Sequence, residues 1–80
     1  MKVPRDLSGA ALAKALSKVG YQVTRQTGSH IRLTTQIPTQ HHVTIPAHDP
    51  LKVGTLSGIL GNVAVHLKTT RDELMQRLFG

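Results

Sequence analysis

The sequence predicts an α+β domain with the order α-β-β-β-α-α, a three-stranded antiparallel sheet with helices on one face. Three observations carry this. Apolar residues recur at helical spacing in one block near the start and another after position 55. Between those blocks lie three short runs with two-residue alternation. The loops between the runs are of hairpin length, too short for the crossover that parallel pairing needs. Eighty residues make a single domain, residues 1–80. A chain this size buries roughly 60% of its unfolded surface, so a few side chains carry the core.

Ser8 is a good helix N-cap. After it, Leu12, Leu16 and Val19 share one face while Lys14 and Lys18 lie off that stripe. Gly20 supplies a C-terminal stop, so the first helix spans about Gly9 to Lys18. Leu7 joins the expected core from just ahead of it. Tyr21 to Gln26 alternates as a half-buried strand, with Tyr21 and Val23 facing inward. Thr27-Gly28-Ser29 forms a three-residue hairpin loop, with glycine available for a left-handed position.

His30 to Thr35 is the second strand, with Ile31 and Leu33 inward. Gln36 to Gln40 is a loop around Pro38, and His41 to Ile45 is the third strand, with Val43 and Ile45 inward. Pairing Leu33 with Val43 and Ile31 with Ile45 leaves an ordinary hairpin loop. The first hairpin sets Val23 opposite Leu33. It also sets Arg25 near Ile31, an awkward place for a guanidinium unless it snorkels from an edge.

Pro46 to Lys52 is a loop with two prolines. From Thr55 a helical stripe follows through Leu56, Ile59, Leu60, Val63 and Leu67. Gly58 and Gly61 each weaken that helix by roughly 1 kcal/mol relative to alanine, so packing must hold it. Thr70-Arg71-Asp72-Glu73 is a capping box. It opens a last helix carrying Leu74 and Leu78.

Ten Lys and Arg against four Asp and Glu leave a net charge of +6. At this size such a balance favours a polyanionic partner over a merely soluble basic domain. Tyr21 and Phe79 are the only aromatic residues, which argues against a module that stacks unpaired bases. With no cysteine, disulfide scaffolds and thiolate metal sites are excluded. Met1 to Asp6 lacks the apolar run of a signal peptide, and no stretch has the length of a membrane span. A soluble cytoplasmic protein is expected.

The turn Gly28-Ser29-His30 hands one histidine to the start of a strand. Alternation sends His30 away from the core, to the face shared by Arg32, Thr34, Gln26 and Thr44. The ordinary histidine pKa lies nearest neutrality. Such an imidazole can take a proton from a ribose 2′-hydroxyl or give one to a leaving oxygen. Arg32 can stabilise charge building on phosphate. The bland reading is a solvated strand histidine. Lys52-Val53-Gly54-Thr55 leads into the second helix, where free N–H groups favour an anion. Lys52 and the Thr55 hydroxyl would add to a phosphate site there, against an ordinary helix start with a solvated lysine.

The five histidines match no zinc spacing. His41 and His42 point to opposite faces. His42 lies about 13 Å from His30 along the sheet. His48 falls in a loop and His66 on a helix. No metal and no cofactor are expected, and four acidic residues support no carboxylate chemistry.

Gly28-Ser29-His30, Val43-Thr44-Ile45-Pro46-Ala47-His48 and Lys52-Val53-Gly54-Thr55-Leu56 with Ile59-Leu60, in this order, resemble the HicA (YcfA-like) toxins of toxin–antitoxin systems. The likeness runs from the first helix through the second. It implies a fold like that of double-stranded-RNA-binding domains (dsRBD-like). It also implies an mRNA interferase, an endoribonuclease that cleaves transcripts, with a HicB-like antitoxin covering its active surface. The histidine of the family's Gly-Ser-His motif is catalytic and falls on His30. Ser29, Arg32, Lys52 and Thr55 are the expected RNA contacts. Two other readings stand beside this one: a non-catalytic double-stranded-RNA binder, and a protein-interaction module whose charge meets an acidic partner.

Overall fold

The computed structural model describes residues 6–80. The Ser8 hydroxyl accepts the Ala11 N–H at 3.0 Å and opens helix α1 (Gly9–Leu16). The helix tightens into a 3₁₀ turn over Ser17–Val19, so its α part stops two residues before the expected Lys18. Gly20, at φ 100°, ends it in the left-handed conformation that glycine adopts without a Cβ clash.

Strands β1 (Gln22–Gln26), β2 (His30–Thr35) and β3 (His41–Pro46) form one antiparallel sheet in the order β1-β2-β3. The expected pairs Ile31–Ile45, Leu33–Val43 and Val23–Leu33 are present. The hairpin loop before His30 closes without a left-handed Gly28, because Gly20 is the one glycine at positive φ among the described residues. Thr27 does the work instead. Its N–H donates to the His30 carbonyl at 2.9 Å, and its hydroxyl accepts the His30 N–H at 3.1 Å.

Helix α2 runs Val53–His66, beginning two residues ahead of the expected stripe. Helix α3 runs Arg71–Phe79. The Thr70 hydroxyl caps α3 by accepting the Glu73 N–H at 3.1 Å, and the Glu73 carboxylate accepts the Thr69 hydroxyl at 2.5 Å. Burial of Leu56, Ile59, Leu60 and Val63, at about 1.5–3 kcal/mol for each side chain, outweighs the cost of Gly58 and Gly61. The Arg71 guanidinium lies over Gly61 and donates to the Ser57 hydroxyl at 2.9 Å, tying α3 to α2. Lys18 Nζ donates to the Leu78 carbonyl at 2.9 Å, tying α3 to the end of α1.

Helix α1 crosses all three strands, α2 packs on β3, and α3 packs on the other two helices. One face of the sheet is therefore helix-covered and the other is open. Ile31, Leu33, Val43 and Ile45 point into the core, and His30, Arg32, His42 and Thr44 are exposed. Leu7, Val19 and Leu67 reach the core only in part. Val23, expected inside, is 50% exposed. It lies on an edge strand, where Ala10 and Ala13 of α1 leave a shallow groove beside it instead of covering it. Leu51 is buried although its loop has no periodicity to announce it. Its N–H donates to the Leu7 carbonyl at 2.8 Å.

Candidate nucleic-acid interface

Three segments meet at the end of the sheet where β2 begins. Ala47 N–H donates to the Ser29 carbonyl, and Gly9 N–H donates to the His48 carbonyl, both at 2.9 Å. Only glycine permits this approach at position 9, because a Cβ there would lie 2.2 Å from the Pro46 carbonyl oxygen. The start of α1, the chain leaving β3 and the turn before His30 thus brace one another.

His30 stands exposed at the first position of β2, paired with Pro46. The Ser29 hydroxyl lies 2.9 Å from His30 Nδ1. With Nδ1 occupied, Nε2 is the nitrogen left for a substrate. When Nδ1–H donates to the hydroxyl, Nε2 carries the lone pair in the neutral ring and can act as a base, and carries a proton in the imidazolium and can act as an acid.

Arg32 follows two residues along β2 on the same open face, paired with Thr44. The structure thus brings Ser29, His30 and Arg32 together. Neither Lys52 nor Thr55 makes a side-chain hydrogen bond to any of the three. Lys52 is the exposed N-cap of α2 and makes no side-chain capping bond, and Thr55 is half-buried in the first turn.

Sequence alternation missed an irregularity in β1. The register shifts between Val23 and Arg25, so Arg25 pairs with Arg32 and Gln26 with Ile31. Thr24 is the extra residue of this bulge. Its hydroxyl lies 2.9 Å from the Thr34 hydroxyl and 3.4 Å from the Arg32 carbonyl, and the Thr34 hydroxyl lies 2.7 Å from His42 Nδ1. A chain of polar side chains therefore crosses all three strands. A consistent donor order runs from His42 through Thr34 and Thr24 to the Arg32 carbonyl.

No Asp or Glu occurs from Gln22 through Pro46. The open face is cationic and free of carboxylates. Tyr21 is fully buried, so it offers no platform for base stacking. Among the described residues no helix is long and apolar enough to cross a membrane.

The fold and this surface define a small dsRBD-like α+β module, its sheet covered by helices on one side and open and basic on the other. The model of the family described as "HicA toxin of bacterial toxin-antitoxin" matches residues 9–65. The chain belongs to this HicA family, the toxins of bacterial toxin–antitoxin systems. No curated protein and no solved structure matches the chain.

Proposed function

We propose that this toxin is an endoribonuclease, an mRNA interferase acting in the cytoplasm, with His30 as its acid–base residue. The observation that carries the reading is an exposed imidazole whose Nδ1 is held by Ser29, beside Arg32 on a face without carboxylates. In the reaction a ribose 2′-oxygen attacks the adjacent phosphorus and the bond to the 5′-oxygen breaks. His30 Nε2 takes the 2′-hydroxyl proton or protonates the departing 5′-oxygen. Arg32 offsets the charge gathering on the phosphoryl oxygens. Ser29 orients the ring, and Lys52 with Thr55 would hold a phosphate further along the chain. A HicB-like antitoxin would silence the toxin by covering the same face.

The histidine is unassisted by the other one on this face. His42 lies four residues along β3 from Pro46, the partner of His30, or about 13 Å. That spacing suits a slow enzyme, because one acid–base group supplies only part of a usual rate enhancement. It also favours, as a second reading, a non-catalytic double-stranded-RNA binder on the same surface. Inducible expression of the wild type and of His30→Ala, with growth and RNA integrity scored together, separates the two. The enzyme reading expects growth arrest and RNA breakage to vanish in His30→Ala while RNA affinity survives. Equal toxicity of the two proteins overturns it.

A further inference from the structure

We propose that Arg25 and Arg32, set opposite one another by the β1 bulge, form a phosphodiester clamp on the open face beside His30. The clamp rests on the RNA-cleavage reading for the identity of its ligand. Its evidence is separate.

Unbroken alternation would have sent Arg25 to the helix-covered side with Val23. The register shift pairs it with Arg32 instead, and cross-strand partners share a face. Both residues are exposed. Bulges are frequent next to functional sites because they re-aim a side chain in this way.

Two like charges directly opposite each other destabilise a sheet. Here nothing on the strands relieves them, since Gln22 to Pro46 contains no acidic residue. The bulge is also fastened by Thr24, through Thr34 and the Arg32 carbonyl. A phosphodiester lying between the two guanidinium groups, with one negative charge shared over its two non-bridging oxygens, would turn repulsion into attraction. Guanidinium forks match phosphate oxygens in pairs. An RNA backbone laid across β1 and β2 would meet both forks, with His30 two residues from Arg32 on the same strand.

The test is binding of a fluorescent RNA oligonucleotide across a salt series. It uses the His30→Ala protein as parent, so that the RNA stays intact. Arg25→Ala is expected to weaken binding about tenfold and to reduce the slope of log affinity against log salt by about 0.7. Arg25→Lys is expected to keep the slope while losing part of the affinity, because it keeps the charge and loses the fork. Arg77→Ala, a charge-matched change on α3, is expected to leave both unchanged. Arg25 makes no hydrogen bond that its truncation would remove, and matching circular dichroism of the variants confirms their folding.

Equal behaviour of Arg25→Ala and Arg77→Ala overturns the clamp, as does loss of antitoxin binding with RNA affinity intact. If RNA binds through Arg25 but His30→Ala leaves toxicity unchanged, the clamp stands and the catalytic reading fails. If the parent has no RNA affinity at all, both fall.

Discussion

His41 lies flat against His66, with ring centroids 4.3 Å apart and planes 12° from parallel. Tyr21 meets the same imidazole edge-on, and its hydroxyl lies 2.8 Å from His41 Nδ1. The three side chains join the approach to β1, the first residue of β3 and the end of α2. Burial, with the nearby His66 and His42, holds His41 below the ordinary histidine range. Burial also pushes Tyr21 up to about 12. His66 Nε2 is buried without a hydrogen-bond partner. Stacked rings keep their in-plane lone pairs in separate, nearly parallel planes, so the contact is one of packing.

Acid sensitivity follows from this arrangement. His41 has a lower pKa folded than unfolded, so the unfolded chain binds more protons through that interval. Stability is fully present above about pH 6.5, the ordinary histidine value. It falls as pH drops from there toward the lowered folded value. At the alkaline end stability falls again past about pH 10, where the unfolded tyrosine ionises and the folded one, at about 12, does not. Urea midpoints across this range should trace both arms. A flat acid arm would show that His41 is not held neutral by the fold.

The orphaned His66 Nε2 gives a second prediction. Phe at this position keeps a ring against His41 and removes the buried unpaired nitrogen. His66→Phe is expected to raise stability at neutral pH by about 1 kcal/mol. It should also shrink the acid arm, because one of the charges facing His41 is gone. Urea unfolding of the variant at neutral and acidic pH checks both effects. A destabilised protein would mean that the nitrogen is satisfied in solution.

Two glycines should respond oppositely to alanine. At Gly9 the added methyl would lie 2.2 Å from a backbone oxygen that cannot swing away. Gly9→Ala is expected to cost about 1–3 kcal/mol and to lower Tm by on the order of 10 °C. Gly58 has nothing within 4 Å of its would-be Cβ and lies inside α2. Gly58→Ala is expected to stabilise by about 0.5–1 kcal/mol through reduced unfolded-state entropy. Thermal melts of the two variants decide it, and a shift of the same sign in both would refute the steric account.

Much of this architecture was legible in the chain because the relevant signals are local. The Ser8 and Thr70 caps, the Gly20 stop and the inward set Ile31, Leu33, Val43 and Ile45 each follow from a few adjacent residues. So did the exposure of His30, which alternation alone dictates. What escaped depends on distant partners. Strict alternation carries no sign of a bulge, so it sets Arg25 beside Ile31, where the structure has Gln26. Alternation points Val23 toward the core, yet burial of an edge residue depends on the helix opposite. Leu51 has no periodic neighbours, and the stacking of His41 on His66 joins residues far apart in sequence. The one sequence signal for the bulge was the misfit itself, an arginine on an apolar face.

The contact between Ser29 and His30 gives the last prediction. The sequence places Ser29 among the expected RNA contacts, and in the structure its hydroxyl lies 2.9 Å from His30 Nδ1. If its role is to hold the ring, Ser29→Ala should slow cleavage and leave RNA affinity nearly intact. One hydrogen bond of ordinary strength, about 1 kcal/mol, corresponds to a loss of roughly fivefold in single-turnover rate. Ser29→Thr keeps the hydroxyl and should recover most of that rate. Single-turnover cleavage and equilibrium binding on one RNA substrate separate orientation from contact. A Kd that weakens as much as the rate falls would make Ser29 a phosphate contact. A rate unchanged in Ser29→Ala would mean that the imidazole finds its working orientation without help.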